Sequence, residues 1–233
     1  MVTVAQLAID QPGALSVFAK YNIDYCCGGH RSLAEACHRA GLDPEKIRAE
    51  IQQTSPAEAG QVLRPETWTS SFLADFIIEN HHTFVRKAIP ELDALLEKVC
   101  ERHGGDTPEL LAVREVFSEL AEELSEHMER EELVLFRAIK RMEAQPGILP
   151  PMEQLIHGSI VAMEGEHEAA GTLIKQIRGL TGNFTPPEFA CPTFRITYQR
   201  LREFDEDLMK HIHLENNILF ERFGKPAAHV PVL

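Results

Sequence analysis

Four histidines and two glutamates have the residue types and the spacing needed to hold two metal ions. Each histidine falls on the apolar stripe of a different predicted helix, and two of them are followed four residues later by a glutamate. Residues four apart lie on one face of a helix, so each such pair can address the same buried point. The six residues are His82, His127, Glu131, His167, His211 and Glu215.

The apolar stripes around these residues follow spacings of three and four. In the first helix the stripe includes Ile78 and His82, and in the second it passes from Glu131 to Val134. A single histidine on an apolar face is more often a hydrogen-bonded core residue than a ligand. Four histidines together with two carboxylates are different, because an ionised carboxylate that is buried without a partner costs several kcal/mol. Metal cations would supply the compensating charge.

The second and fourth helices carry a repeated motif. Residues 127–136 match residues 211–220 at their His, Glu and Leu-Phe positions with an offset of 84, and His82 and His167 are 85 apart. The repeat predicts two helical hairpins related by a pseudo-twofold axis. Such a set fits two metals, each held by two histidines and bridged by both glutamates, with room for a solvent-derived bridge. Mixed imidazole and carboxylate ligands favour iron, with manganese and zinc as alternatives.

Four long helices must position these residues. Periodicity and the Gly and Pro punctuation predict helices over 69–102, 107–142, 152–180 and 192–222. Short connections favour antiparallel neighbours, and therefore an all-α, up-down-up-down four-helix bundle. The predicted organisation is a small helical domain at 1–56, a linker at 57–68, the bundle at 69–224 and a tail at 225–233.

The small domain carries a second chemical feature, a pair of adjacent cysteines. Cys26 and Cys27 precede two glycines and a helix predicted from about Ser32. One interpretation is a pair of buried thiols at a tight turn. The other is a pair of reactive thiols, since the dipole of the following helix would favour the thiolate of Cys27, with Cys37 as a resolving partner. Adjacent side chains diverge, so we do not expect the pair to bind one metal together.

Composition excludes several classes of protein. The net charge of -13 argues against binding nucleic acid through a basic surface. No stretch approaches the roughly 20 apolar residues that cross a bilayer, and the N-terminus lacks the features of a signal peptide. Five cysteines without framework spacing argue against a secreted disulfide scaffold. We therefore expect a cytoplasmic protein that binds neither nucleic acid nor membranes.

The two motifs together resemble those of the iron-sulphur cluster repair di-iron proteins, also called the repair of iron centres family. The Tyr-x-x-x-Tyr-Cys-Cys-Gly-Gly sequence at 21–29 looks like the signature of that family's N-terminal domain. The segments at 127–132, 163–167 and 211–217 resemble its hemerythrin-like domain. The likeness covers nearly the whole chain and implies a hemerythrin-like fold for the bundle.

The resemblance also implies a function. It implies a non-haem centre of two iron ions held by the six residues, with Glu131 and Glu215 as bridges, and nitric oxide as a small ligand. It implies repair of iron-sulphur centres damaged by nitric oxide or peroxide, with iron-sulphur proteins as clients. Cys26 and Cys27 match the family's paired cysteines. A nitric oxide scavenger, sensor or reductase fits the same residues, so the sequence leaves open whether the protein is an enzyme.

Two related classes of bundle fit less well. An oxygen-carrying hemerythrin would place a second histidine four residues from His167, where this chain has Met163 and Gly171. A ferritin-like carboxylate site would use the Glu-x-x-His pairs that begin at Glu79 and Glu164. Both glutamates lie one position off the apolar stripe, where a solvated glutamate is normal, so we predict that neither is a ligand.

Overall fold

A computed structural model of the chain describes residues 2–11, 13–54, 63–145 and 150–223. Within these ranges the regular structure is helical, apart from one isolated bridge between Thr3 and Ser32, and the predicted all-α class is confirmed. In the same ranges, no helix has the length and apolar character to span a bilayer. The predicted tail and residues 57–62 of the predicted linker lie outside the described residues.

Side-chain caps define the short helices near the N-terminus. The Thr3 hydroxyl accepts the Gln6 N–H at 3.1 Å at the start of the first helix. Ser32 and Glu35 form a capping box at the third, and Asp43 caps the fourth, which begins with a proline. Each cap satisfies amide groups that the first turn leaves without helical partners. The helices are α1 (Val4–Asp10), α2 (Ala14–Lys20), α3 (Leu33–Ala40) and α4 (Pro44–Gln53).

The long helices are interrupted by three π-helical segments. The first long helix consists of α5 (Ser70–Phe76), π1 (Ile77–His82) and α6 (Thr83–His103). The second long helix consists of α7 (Glu109–Arg130), π2 (Glu131–Leu135) and α8 (Phe136–Ala144). The third is α9 (Pro150–Leu180), and the fourth is α10 (Pro192–Leu214) with π3 (Glu215–Leu219). Short 3-10 helices lie at Pro65–Thr67 and Phe220–Phe223. The π2 and π3 segments begin at the repeated glutamates, which lie 84 residues apart.

The π segments change which side chains face the core. Leu135 is 1% exposed, whereas Val134, predicted on the apolar stripe, is 42% exposed. Likewise Ile77 is fully buried, and Ile78, which we predicted there, is only partly buried. These two predictions were wrong because a π turn contains one extra residue, which moves the apolar face by one position.

The chain divides into two compact units, Met1–Leu73 with Met209–Leu233, and Ala74–Leu208. In the second unit the rings of Phe117 and Phe204 meet edge to face at 5.5 Å. Beside them the buried Asp205 accepts two hydrogen bonds from Arg178, at 2.6 and 2.7 Å. Burial raises the pKa of Asp205, although the Arg178 guanidinium opposes this shift. The predicted domain boundaries stay a prediction.

Candidate metal centre

All six predicted metal ligands are buried. Their exposed fractions lie between 0 and 3%: His82, His127, Glu131, His167, His211 and Glu215. Three of them also stand at the ends of the π segments, with His82 last in π1, Glu131 first in π2 and Glu215 first in π3. Helices with an extra residue in a turn occur frequently at functional sites. Each π segment therefore has a predicted ligand at one of its ends.

Four of these residues belong to the unit Ala74–Leu208 and converge from three helices. Glu131 Oε2 lies 3.4 Å from His82 Nε2 and 3.4 Å from His127 Nε2. His127 Nε2 lies 3.1 Å from His167 Nε2. One carboxylate therefore stands between imidazoles of two helices, and a third helix brings its imidazole to the same place.

The fourth helix presents the second His–Glu pair, in the unit that contains Met209–Leu233. His211 Nε2 and Glu215 Oε1 are 3.0 Å apart, one helical turn from each other. This pair corresponds to His127 and Glu131 in the repeated motif, and it has the same spacing in the chain.

The donor atoms fall into two groups, and within each group all of them lie within 4.8 Å of one another. One group is His82, His211, Glu131 and Glu215, and the other is His127, His167, Glu131 and Glu215. Two nitrogen and two oxygen donors are an appropriate set for iron, manganese or zinc. Both glutamates belong to both groups, whereas Glu79 and Glu164 belong to neither.

Two further glutamates, which the sequence analysis did not identify, accept hydrogen bonds from Nδ1 of two of the predicted ligand histidines. Glu132 Oε1 accepts hydrogen bonds from His82 Nδ1 and from Arg86, both at 2.7 Å. Burial tends to raise the pKa of Glu132, but these two hydrogen bonds outweigh it and the pKa is lowered. Glu132 stays ionised and fixes Nδ1 of His82 as a donor, which leaves Nε2 for the group of ligands.

His127 has a matching support. Glu166 Oε2 accepts a hydrogen bond from His127 Nδ1 at 2.7 Å, and its other oxygen lies 2.8 Å from Arg130. The pKa of Glu166 is lowered for the same reasons, against the effect of burial. A signal was present in the sequence, because Glu132 directly follows a predicted ligand and Glu166 directly precedes one.

We expect Glu166→Ala to weaken iron binding by roughly 10- to 100-fold, since it frees the imidazole of His127 to rotate and to change tautomer. Chelator competition on the purified variant measures this loss. Glu168→Ala is the matched control, because Glu168 is exposed on the same helix. Equal iron retention in the two variants would contradict the supporting role.

A cavity of about 510 Å³ reaches two of the histidines. It lies between α7 and α9 and is lined by His127, His167, Arg130, Glu166 and Gly165, among others. A Cβ atom on Gly165 would meet nothing within 4 Å, so this part of the cavity wall borders open space. Small molecules thus have space beside this histidine pair.

The cysteine pair has two different environments. Cys26 is 2% exposed and Cys27 is partly exposed. The hydrogen bond to Cys27, together with burial, raises the pKa of Cys26 well above its usual value, which opposes the interpretation of Cys26 as an activated thiolate. Cys37 is fully buried, and burial raises its pKa too. None of the five cysteines forms a disulfide.

The fourth helix holds the turn that carries these cysteines. Asn217 Nδ2 donates to the carbonyl oxygens of Tyr25 at 3.2 Å and Cys26 at 3.1 Å. The Tyr25 ring meets the His213 ring edge on at 5.5 Å, and burial lowers the pKa of His213 to about 4. His213 is therefore neutral near pH 7 and packs against the turn. Gly29 is required here, because a Cβ would lie 2.7 Å from the Tyr25 carbonyl oxygen.

A bundle of long helices with buried groups of imidazoles and carboxylates defines a hemerythrin-like cation-binding protein. Residues 74–223 match the hemerythrin HHE cation binding domain, and residues 2–55 match the ScdA_N domain, a domain of unknown function. The predicted hemerythrin-like bundle with a small helical domain before it is thereby confirmed.

Several relatives share both parts of the chain. The iron-sulfur cluster repair protein YtfE of Yersinia pseudotuberculosis serotype O:1b is 38% identical over 226 residues, which cover 94% of this chain and 95% of the relative. The protein of the same name from Shigella boydii serotype 4 is 40% identical over 223 residues, 94% of each chain. The chain belongs to the family of iron-sulphur cluster repair proteins, as the two motifs predicted.

Proposed function

We propose that this protein is a non-haem di-iron protein of the nitrosative and oxidative stress response that repairs damaged iron-sulphur clusters. His82 and His211 would hold one iron, and His127 and His167 would hold the other. Glu131 and Glu215 would serve as ligands for both irons. Iron-sulphur proteins are its clients, and nitric oxide binds at the di-iron centre.

The observation that carries the proposal is the sharing of both carboxylates. Glu131 and Glu215 belong to both donor groups, and each group adds its own pair of histidines. Two separate cation sites would each need their own carboxylates, whereas a shared pair suits two ions side by side. The relatives named for iron-sulphur cluster repair support the biological role.

The residues around the ligands prepare the centre for exchange with small molecules. When bound, two irons supply one-electron chemistry and open coordination positions. Glu132 and Glu166 accept the Nδ1 protons of two histidines and so aim the opposite nitrogens at the ligand groups. The cavity beside His127 and His167 gives nitric oxide a path to this pair. All six proposed ligands are buried, so bulk water does not contact them freely.

Anaerobic titration of the reduced, iron-loaded protein with nitric oxide tests the small-ligand part of the proposal. We expect spectral changes at the iron that saturate in proportion to iron content. Gas analysis of the same samples separates binding from reduction, because nitrous oxide would identify a nitric oxide reductase. Glu131→Ala removes a proposed ligand of both irons and serves as the variant that lacks the iron centre. Glu79→Ala is its control. An unchanged spectrum would contradict nitric oxide binding.

A separate assay tests repair. An iron-sulphur enzyme inactivated by nitric oxide is incubated with the iron-loaded protein, and recovery of its activity is followed. We expect recovery with the wild-type protein and with Glu79→Ala, but not with Glu131→Ala. Recovery without the protein at the same concentration of free iron would contradict the proposal. Nitric oxide binding without recovery would identify a scavenger or sensor instead.

A further inference from the structure

The sulphur of Cys26 contacts two other sulphur atoms where the turn after α2 meets the fourth helix. Cys26 Sγ lies 3.7 Å from Cys27 Sγ and 3.4 Å from Met209 Sδ. Cys26 and Met209 are buried, and Cys27 is partly exposed. The sequence led us to expect that adjacent cysteine side chains diverge, and the turn instead brings both sulphurs to one side.

Asp24 holds the turn in this conformation. Its Oδ1 accepts the N–H groups of Cys27 at 3.1 Å and Gly28 at 2.9 Å, and it lies 3.4 Å from Cys26 Sγ. Gly28 has no space for a side chain, since a Cβ would stand 2.9 Å from the Asp24 carbonyl oxygen. Asp24, Cys26 and Cys27 together present donor atoms within 4.8 Å of one another. Because backbone N–H groups already engage this carboxylate oxygen, Asp24 acts as a positioning residue.

We propose that Cys26, Cys27 and Met209 bind one copper(I) ion, using residues that belong to neither His/Glu group. Thiolate and thioether ligands are soft and select copper(I). Three sulphurs that each lie about 2.3 Å from one ion, at angles of about 120°, are about 4.0 Å apart. The cysteine sulphurs are 3.7 Å apart and Cys26 Sγ lies 3.4 Å from Met209 Sδ, so both pairs would open slightly to hold an ion.

The charge and proton balance of this site is simple. Copper(I) replaces the two thiol protons, which pass to solvent, and Met209 contributes a neutral sulphur. Cys27 is partly exposed, so the ion has a route of entry without opening the core. The thioether distinguishes copper(I) from zinc, which proteins bind mainly through thiolate, imidazole and carboxylate ligands.

Anaerobic titration of the full-length, iron-loaded protein with copper(I), in competition with a chromogenic chelator, tests the proposal. We expect one tightly bound equivalent with ultraviolet absorption from thiolate-to-copper charge transfer. Cys26→Ser and Cys27→Ser each lower the affinity by more than about 100-fold, as expected for direct ligands. Cys37→Ser and Cys191→Ser are matched controls, one buried and one partly exposed. Retention of copper by both Cys26→Ser and Cys27→Ser overturns the site.

The thioether is tested by Met209→Leu. We expect this variant to bind copper(I) about 10-fold more weakly and to bind zinc no differently. Met163→Leu is the control, because Met163 is also buried. Zinc binding that is tighter than copper(I) binding, with no effect of Met209→Leu on either metal, overturns the choice of copper.

A measurement on the unmodified protein removes any dependence on how the variants fold. We expect copper(I) to protect Cys26 and Cys27 from alkylation, as followed by mass spectrometry of the digested protein. Cys191 serves as the internal control and keeps its rate of alkylation. Equal rates for Cys27 with and without copper overturn the proposal.

Discussion

Glu131→Ala releases both irons, whereas His167→Ala releases mainly one. This is the expected result because Glu131 belongs to both donor groups and His167 belongs to only one. Loss of a direct ligand weakens binding by more than the roughly 10- to 100-fold that an outer partner contributes. Iron per chain is measured by elemental analysis after gel filtration, with circular dichroism to check the helical content.

Glu79→Ala is the informative control for this experiment. Glu79 stands three residues before His82, as a ferritin-like site would require, but it is exposed and lies outside both donor groups. We expect it to keep the full iron content. Iron loss in Glu79→Ala, or normal iron content in Glu131→Ala, would contradict the ligand assignment and favour a different carboxylate site.

Iron removal is expected to lower the free energy of unfolding by about 4 kcal/mol for each iron, when the free iron concentration had been about 1,000 times the dissociation constant of that site. The physical reason is linkage, because the folded protein binds iron in a preformed site and the unfolded chain does not. Urea unfolding of the loaded and chelated protein measures the difference.

The double substitution Glu131→Gln with Glu215→Gln is expected to raise the stability of the metal-free protein, although it removes two ligands of the iron-loaded protein. Both carboxylates are fully buried, and they share two groups of closely spaced donors. Without a cation, two buried negative charges cost free energy through lost solvation and mutual repulsion. We expect the neutral double variant to be more stable than the wild type after chelation, and less stable than the wild type when iron is present.

The matched control for that experiment is Glu126→Gln with Glu129→Gln, at two exposed positions of the same long helix. We expect this variant to change stability by no more than about 0.5 kcal/mol with or without iron. The assignment fails if the metal-free Glu131→Gln, Glu215→Gln protein is less stable than the metal-free wild type.

The positions of the long helices were readable from the sequence because they depend on local spacing. Apolar residues at three- and four-residue intervals, with Gly and Pro between them, predicted four helices that the structure contains. The six metal-binding candidates were visible for the same reason, since a polar residue inside an apolar stripe stands out. The repeat with an offset of 84 residues has a counterpart in the structure, because π2 and π3 begin at equivalent glutamates.

The register within a helical turn was not readable. Val134 and Leu135 are both apolar, so the sequence could not reveal which one faces the core. The extra residue of a π turn decides this, and its effect is a shift of one position. Periodicity averages over several turns and is insensitive to a single inserted residue.

The positions at which the two repeated motifs differ carry information about the turn that holds the cysteines. Met209, His213 and Asn217 lie one turn apart on the fourth helix, and all three contact the turn that carries the cysteines. Their counterparts 84 residues earlier are Ser125, Glu129 and Leu133. The two motifs agree at the metal-binding candidates and differ at the positions that hold the turn.

The sequence by itself determined the helices, the buried polar residues and the family, because each of these depends on residue type and local spacing. The tertiary structure alone decided which histidines share a group, that Glu132 and Glu166 orient the imidazoles, and that three sulphurs meet beside Asp24. The reason is that most of these contacts join segments that lie 39 to 183 residues apart in the chain. The contact between the adjacent cysteine sulphurs depends instead on a turn whose hydrogen bonds overcome the usual divergence of adjacent side chains.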